Sequence, residues 1–322
     1  MAISDQITPL IPLRKPQPGP GWALLWVVFF LVITQIPGGL LATGILGVEI
    51  LTDPSKSLLM EELGPRKYLT SGHATLALVL GLGVAQILSW AYAFVLLRRF
   101  HGPSWRQKIG LKNWKFSDLA GGFALGLGLF FLAEGLSLLA RQYVPQIPRE
   151  GEAAAMLAPW PWWAGVLVIG LGPAIGEELF CRGFLGQGLV ARLGALRGVL
   201  LTSVLFGIMH VDPGQALYAA VLGILLHALA LFTKSLVGPM VAHFTNNSLT
   251  MLGVCHDSPF RGGLETLENH IRAHPWISLA AGVATSGIVL GFLRLYFRFS
   301  RPSYSQTQSG GDTNGLQNPS HR

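Results

Sequence analysis

Along this chain, long apolar runs alternate with short clusters of charged and turn-forming residues, and that alternation predicts the elements. Runs at about 22–46, 74–97, 119–139, 163–192, 197–210, 215–232, 236–252 and 276–295 are each read as a helix crossing a bilayer. The reason is length: ~20 apolar residues at ~1.5 Å each span a hydrocarbon core ~30 Å thick. The expected fold is therefore all-α, a polytopic membrane bundle of about eight transmembrane helices. Pro37-Gly38-Gly39 is expected to bend the first run, and Asp212-Pro213-Gly214 to stop the fifth. Gly122 and Gly126 in the third run have the small-xxx-small spacing that lets helix backbones approach closely. Trp160, Trp162 and Trp163 ahead of the fourth are expected to form an interfacial belt.

These runs divide the chain into a proline-rich tail (1–20), N-terminal membrane helices (21–142), a central core (160–252), a C-terminal helix (276–297) and a polar tail, 300–322, expected to be disordered. The first run is read as a retained anchor and not as a signal peptide. Composition agrees with the bilayer assignment: 51% of the residues are hydrophobic and only 12% charged, with a mean hydropathy of +0.48. The net charge of +7 would suit a nucleic-acid binder, but the basic residues sit in short loops between apolar runs. The loop holding Arg98, Arg99, Arg106, Lys108, Lys112 and Lys115 contains Asp118 as its one acid. That bias marks the inner side and predicts a multi-pass protein with both termini cytoplasmic, with the lipid bilayer and no nucleic acid as partner. Two cysteines, Cys181 and Cys255, give neither a disulfide framework nor metal-ligand spacing.

Charged and polar residues inside the apolar runs carry the candidate chemistry, because a charge near the bilayer centre costs roughly 2.5–3.5 kcal/mol on insertion scales. Three patterns fall in runs four, five and seven: Glu177-Glu178-x-x-x-Arg182, Phe206-x-x-x-His210 and His243-x-x-x-Asn247. On a helix Glu178 and Arg182 share a face, whereas Glu177 is turned by roughly 100°. Glu178 is thus expected in a structural ion pair, leaving Glu177 without a local counter-charge and suited to act as a general base on water. His243 and Asn247 also share a face and offer N–H groups for an oxyanion. Counted at ~1.5 Å per residue from the inner ends, Glu177, His210 and His243 fall at ~24, ~20 and ~14 Å, within one layer ~10 Å thick. No His-Glu-x-x-His or Gly-x-Ser-Gly is present, and the lone Gly-Asp, Gly311-Asp312, lies in the tail. Glu177, His210 and His243 remain candidate ligands for a divalent metal such as zinc, although the spacing is not that of a zinc motif.

At these residues the sequence resembles the CAAX protease and bacteriocin-processing (CPBP, or ABI) family of intramembrane proteases, over roughly 160–252. The resemblance implies an intramembrane endopeptidase. It assigns Glu177 and His210 to water activation, His243 and Asn247 to the oxyanion hole, and Glu178 and Arg182 to support. It also implies a protein or peptide substrate and a mechanism of glutamate type that requires no cofactor, with a metallo-type mechanism as the other possibility. Non-catalytic immunity or scaffold proteins belong to the same family and form the alternative. A transporter gains no support, because no internal repeat is visible. Bland roles stand beside each of these: His210 as a cap near the Asp212 turn, His243 and Asn247 as interhelical glue, Phe206 as core beneath His210, His227 as a packed histidine, Cys181 as a small apolar residue, and Glu134 as a buried acid facing a partner such as Arg141.

Overall fold

A computed structural model describes residues 17–112, 114–143, 151–210 and 212–299. Most of the tail 1–20, all of the tail 300–322 and part of the loop before Trp160 lie outside the described residues. Among those described, every regular element is a helix: α1 (Pro20–Thr52), α2 (Pro54–Thr70), α3 (Thr75–His101), α4 (Trp105–Lys108), α5 (Phe116–Tyr143), α6 (Gly151–Leu157), α7 (Trp162–Leu193), α8 (Ala195–Ile208), α9 (Pro213–Thr233), α10 (Val237–Val254), α11 (Arg261–Ala273) and α12 (Pro275–Phe299). Six of them, α1, α3, α5, α7, α9 and α12, are long and apolar enough to cross a bilayer. The chain is an integral membrane protein with an all-α, polytopic fold.

All eight expected runs are helical, but two are not spans by length and composition. The 14 residues of α8 rise only ~21 Å, because the Asp212-Pro213 turn ends the run inside the thickness of a bilayer. In α10 the apolar character is diluted by His243, Thr245, Asn246 and Ser248, which are buried in the bundle. Pro37 does not end α1. Trp160 does not belong to an interfacial belt: it is 1% exposed and packs with Met251 and Cys255, while Trp163 stays 55% exposed. Two further helices, α2 and α11, occupy loops that carry no apolar run.

Helix ends follow local chemistry. Asp212 Oδ1 accepts from the Gln215 N–H at 2.8 Å, and Pro213, which lacks an N–H to satisfy, stands at the first helical position of α9. Asp53 and Pro54 start α2 in the same way. Two apolar clusters hold the bundle. One joins α1, α3, α7 and α8, with Phe30 stacked on Phe180 at 4.4 Å. The other joins α5, α9, α10 and α12 through Leu125, Leu129, Leu226, Leu229 and Leu293. The Gly122/Gly126 spacing has the role expected of it: a Cβ at Gly122 would stand 2.5 Å from the Gly238 carbonyl, and one at Gly126 2.5 Å from Thr245 Cβ, so α5 and α10 meet backbone to backbone. That close approach fixes the helix carrying His243 against the bundle.

Outside the spans, the Glu268 carboxyl of α11 lies over Gly253 at the end of α10. Burial pushes its pKa above the usual 4.5, against the pull of Arg272 and Arg261 and with a further push from Glu265. Folding thus favours the protonated form, and stability is lost as pH rises from the unfolded value through the raised folded one. Glu268→Gln is expected to raise the thermal midpoint at pH 7–8, with the gain vanishing below about pH 4. Midpoints measured across that range check it.

Candidate active site

The helix carrying Glu177 and Glu178 is continuous from Trp162 to Leu193 but not uniform. Val166–Leu171 and Leu179–Leu185 are π-helical turns on either side of the regular turn Gly172–Glu178. The helix runs on through Gly183, Gly186 and Gly188, but Gly183 lies in a π-helical turn and not in regular α geometry. Pro173 supplies one cause. Without an N–H it cannot donate to the carbonyl of Ile169 four residues earlier, and Asn247 Nδ2 donates to that carbonyl at 3.0 Å. Neighbouring α3 secures the same helix: Trp90 Nε1 donates to the Gly172 carbonyl at 2.7 Å, and His101 Nε2 to the Gly183 carbonyl at 3.0 Å. Side chains from two helices therefore hold an irregular stretch, with π-helical turns of a kind that recurs at functional sites, around the two acids.

Glu178 and Arg182 are paired as expected, with Nη1 2.7 Å from Oε1 and both side chains wholly buried. Arg182 also donates to the Gly223 carbonyl of α9 at 3.1 Å and lies 4.4 Å above the Phe206 ring centroid. The same Glu178 oxygen accepts from His243 Nδ1 at 2.9 Å. Helical periodicity does not predict this bond, whose partners lie 65 positions apart. Because a carboxylate in an ion pair has no proton to give, the Nδ1 of His243 must carry the hydrogen, and the bond fixes how the ring points.

His210 is anchored in a similar way, its Nδ1 donating to the Phe206 carbonyl at 2.9 Å. A backbone carbonyl only accepts, so in the neutral imidazole Nε2 keeps its lone pair. The ring of Phe206 meets His210 edge-on at 4.9 Å and His243 edge-on at 5.9 Å. Phe206 is thus more than core beneath His210: it is the aromatic centre against which Arg182 and both histidines are set.

Glu177 is half-buried. Its Oε2 is enclosed and has no hydrogen-bond partner among the described residues. The two adjacent acids are divided as expected, one holding an arginine and a histidine, the other carrying an uncommitted oxygen. Asn247, one turn beyond His243, spends an amide hydrogen on Ile169 and accepts from Asn246 Nδ2 at 2.9 Å. Among the described residues no three His, Cys, Asp or Glu side chains gather as a metal cluster would. His227 is buried against Gly186. Cys181 lies with Sγ 3.6 Å from Met209 Sδ, in the core. Arg141 donates to Ser137 Oγ at 2.5 Å, and Glu134 is half-buried on the same helix.

Residues 159–249 match the family described as Rce1-like, type II CAAX prenyl endopeptidase. That segment contains every motif residue from Glu177 to Asn247. Over those residues the core of this chain is similar to the Rce1-like family. Curated proteins and solved structures gave no match. The Rce1-like segment begins just before α7 and ends within α10, so it takes in the helix with the two π-helical turns, the short α8–α9 hairpin and the helix bearing His243. The helices packed around it, α1, α3, α5 and α12, lie outside the match. By its description, that family is one of prenyl endopeptidases.

Proposed function

We propose that the protein is an intramembrane endopeptidase of the CAAX-protease type, in which Glu177 draws a proton from water as that water attacks a peptide carbonyl. The observation that carries this reading is the uncommitted, enclosed oxygen of Glu177 beside a Glu178 already engaged by Arg182 and His243. The lone pair left on His210 Nε2 makes that residue a second acceptor for the water's protons. The bond to Glu178 orients the His243 ring, so that an Nε2–H, when that nitrogen carries a hydrogen, serves the oxygen that becomes negative as the carbonyl turns tetrahedral. The second amide hydrogen of Asn247 adds another donor, and the first keeps the π-helical turn in place. A peptide near the membrane is the substrate class that follows from the Rce1-like similarity. No cofactor is called on by these steps, and the charge of the loops supports a cytoplasmic side for both termini.

The test is cleavage of a membrane-anchored peptide library by the purified protein in liposomes. His210→Ala and His243→Ala are each expected to lower kcat by roughly 10²–10³ with little change in KM. Full activity in either variant removes that residue from the mechanism. A scaffold role is the second reading, favoured by the bond of Asn247 to Ile169 and of His243 to Glu178, both of which tie helices together. It predicts that neither wild type nor any variant cleaves.

A further inference from the structure

At the end of the bundle opposite α11 lies a cleft of about 270 Å³, bounded by α4, the C-terminal part of α7 and the turn between α9 and α10. Lys108, Gln187 and Lys234 contribute its polar part, and all three are exposed. Ile109, Ala230 and Leu231 supply an apolar wall. Leu231 is itself 39% exposed near the end of a spanning helix, so an apolar side of the cleft is left uncovered. Two features make it a built site. Lys108 Nζ is held at 2.8 Å by the His101 carbonyl, which leaves two ammonium hydrogens for a ligand. Lys234 stands in the left-handed conformation, φ 56°, sharply turning the chain between α9 and α10, and that turn is packed against Gly110, where a Cβ would collide with the Lys234 carbonyl.

We infer that this cleft binds a phosphate-bearing anion at the membrane surface. Two lysines at its mouth attract the phosphate, Gln187 donates to the polar ester region, and the apolar wall receives the start of an acyl chain. Basic pockets between helices at the positive end of membrane proteins take anionic headgroups in this way. The end in question is strongly basic, with Arg98, Arg99, Arg106, Lys112, Lys115, Arg192 and Arg197 nearby in the sequence or at adjoining helix ends. The same phosphate chemistry is offered by an anionic phospholipid and by phosphate in solution, and the apolar wall favours the lipid. The inference does not depend on catalysis: it concerns residues at the far end of α7 from Glu177 and none in the Glu178 network.

The full-length protein in an uncharged detergent can be titrated with dihexanoyl phosphatidylglycerol, dihexanoyl phosphatidylcholine and inorganic phosphate. Intrinsic fluorescence or thermal shift reads the binding. The anionic lipid is expected to bind at least tenfold more tightly than the zwitterionic one. Phosphate alone competing as well as the lipid would keep the anion site and assign its ligand to solution. Lys108→Gln and Lys234→Asn, the latter chosen because asparagine tolerates the left-handed conformation, are each expected to weaken the anionic lipid roughly fivefold, and together roughly thirtyfold. Lys112→Gln, which removes a basic residue at the same end but outside the cleft, is expected to change it less than twofold. Equal loss in Lys112→Gln, or equal binding of the two lipids by wild type, overturns the inference. Should the double variant fail to fold, the two single variants decide it.

Discussion

Glu177→Gln is expected to abolish peptide cleavage while leaving the protein folded. The substitution keeps the shape of the side chain and removes its capacity to take a proton, so the loss falls on kcat and amounts to about 10²–10⁴-fold, the usual contribution of a positioned general base. Stability is expected to stay within about 0.5 kcal/mol, because the enclosed Oε2 of Glu177 has no hydrogen bond among the described residues to lose. Cleavage in liposomes and a thermal midpoint, measured on the same preparation, separate the two effects. The scaffold reading expects the opposite in cells: a neutral isostere at an unpaired position would leave its function intact. Comparing membrane proteomes of cells carrying wild type and Glu177→Gln tests catalysis and finds substrates together, and an unchanged proteome would remove the protease proposal.

Arg182→Met is expected to have the largest effect on stability. The side chain is wholly buried, and three groups depend on it: the carboxylate of Glu178, the carbonyl of Gly223 and the face of Phe206. Removing one partner of a buried pair leaves the other charge without compensation and costs about 3–5 kcal/mol, a large share of the 5–15 kcal/mol by which proteins are commonly stable. Folded yield in detergent should collapse. Glu178→Gln combined with Arg182→Met removes both charges and is expected to recover most of the folded protein. A single Arg182→Met variant as stable as wild type would show that the pair does not hold the helices together.

Much of the site could be read in the sequence because its parts are local. Glu178 and Arg182 are four residues apart, and a helix of any ordinary length brings them to one face. The same holds for Phe206 with His210, and for the Gly122/Gly126 spacing that seats α10 against α5. Each prediction needed only helical periodicity and the cost of polar groups in lipid. The number of spans was less secure, because composition alone does not tell a polar residue turned into a bundle from one exposed to lipid. Those of α10 are turned inward, and α8 is cut short by its turn.

What the sequence determined by itself is the all-helical membrane fold, the motif residues and the pairing of Glu178 but not Glu177 with Arg182, since each follows from rules acting within four or five residues. Only the tertiary structure decided that His243 is held by Glu178, that Asn247 answers the carbonyl freed by Pro173, and that Trp90 and His101 of α3 secure the same helix. Those bonds join residues 65–82 positions apart. No periodicity reaches that far: such partners are chosen by how helices pack and by the need of every buried backbone group for a hydrogen bond.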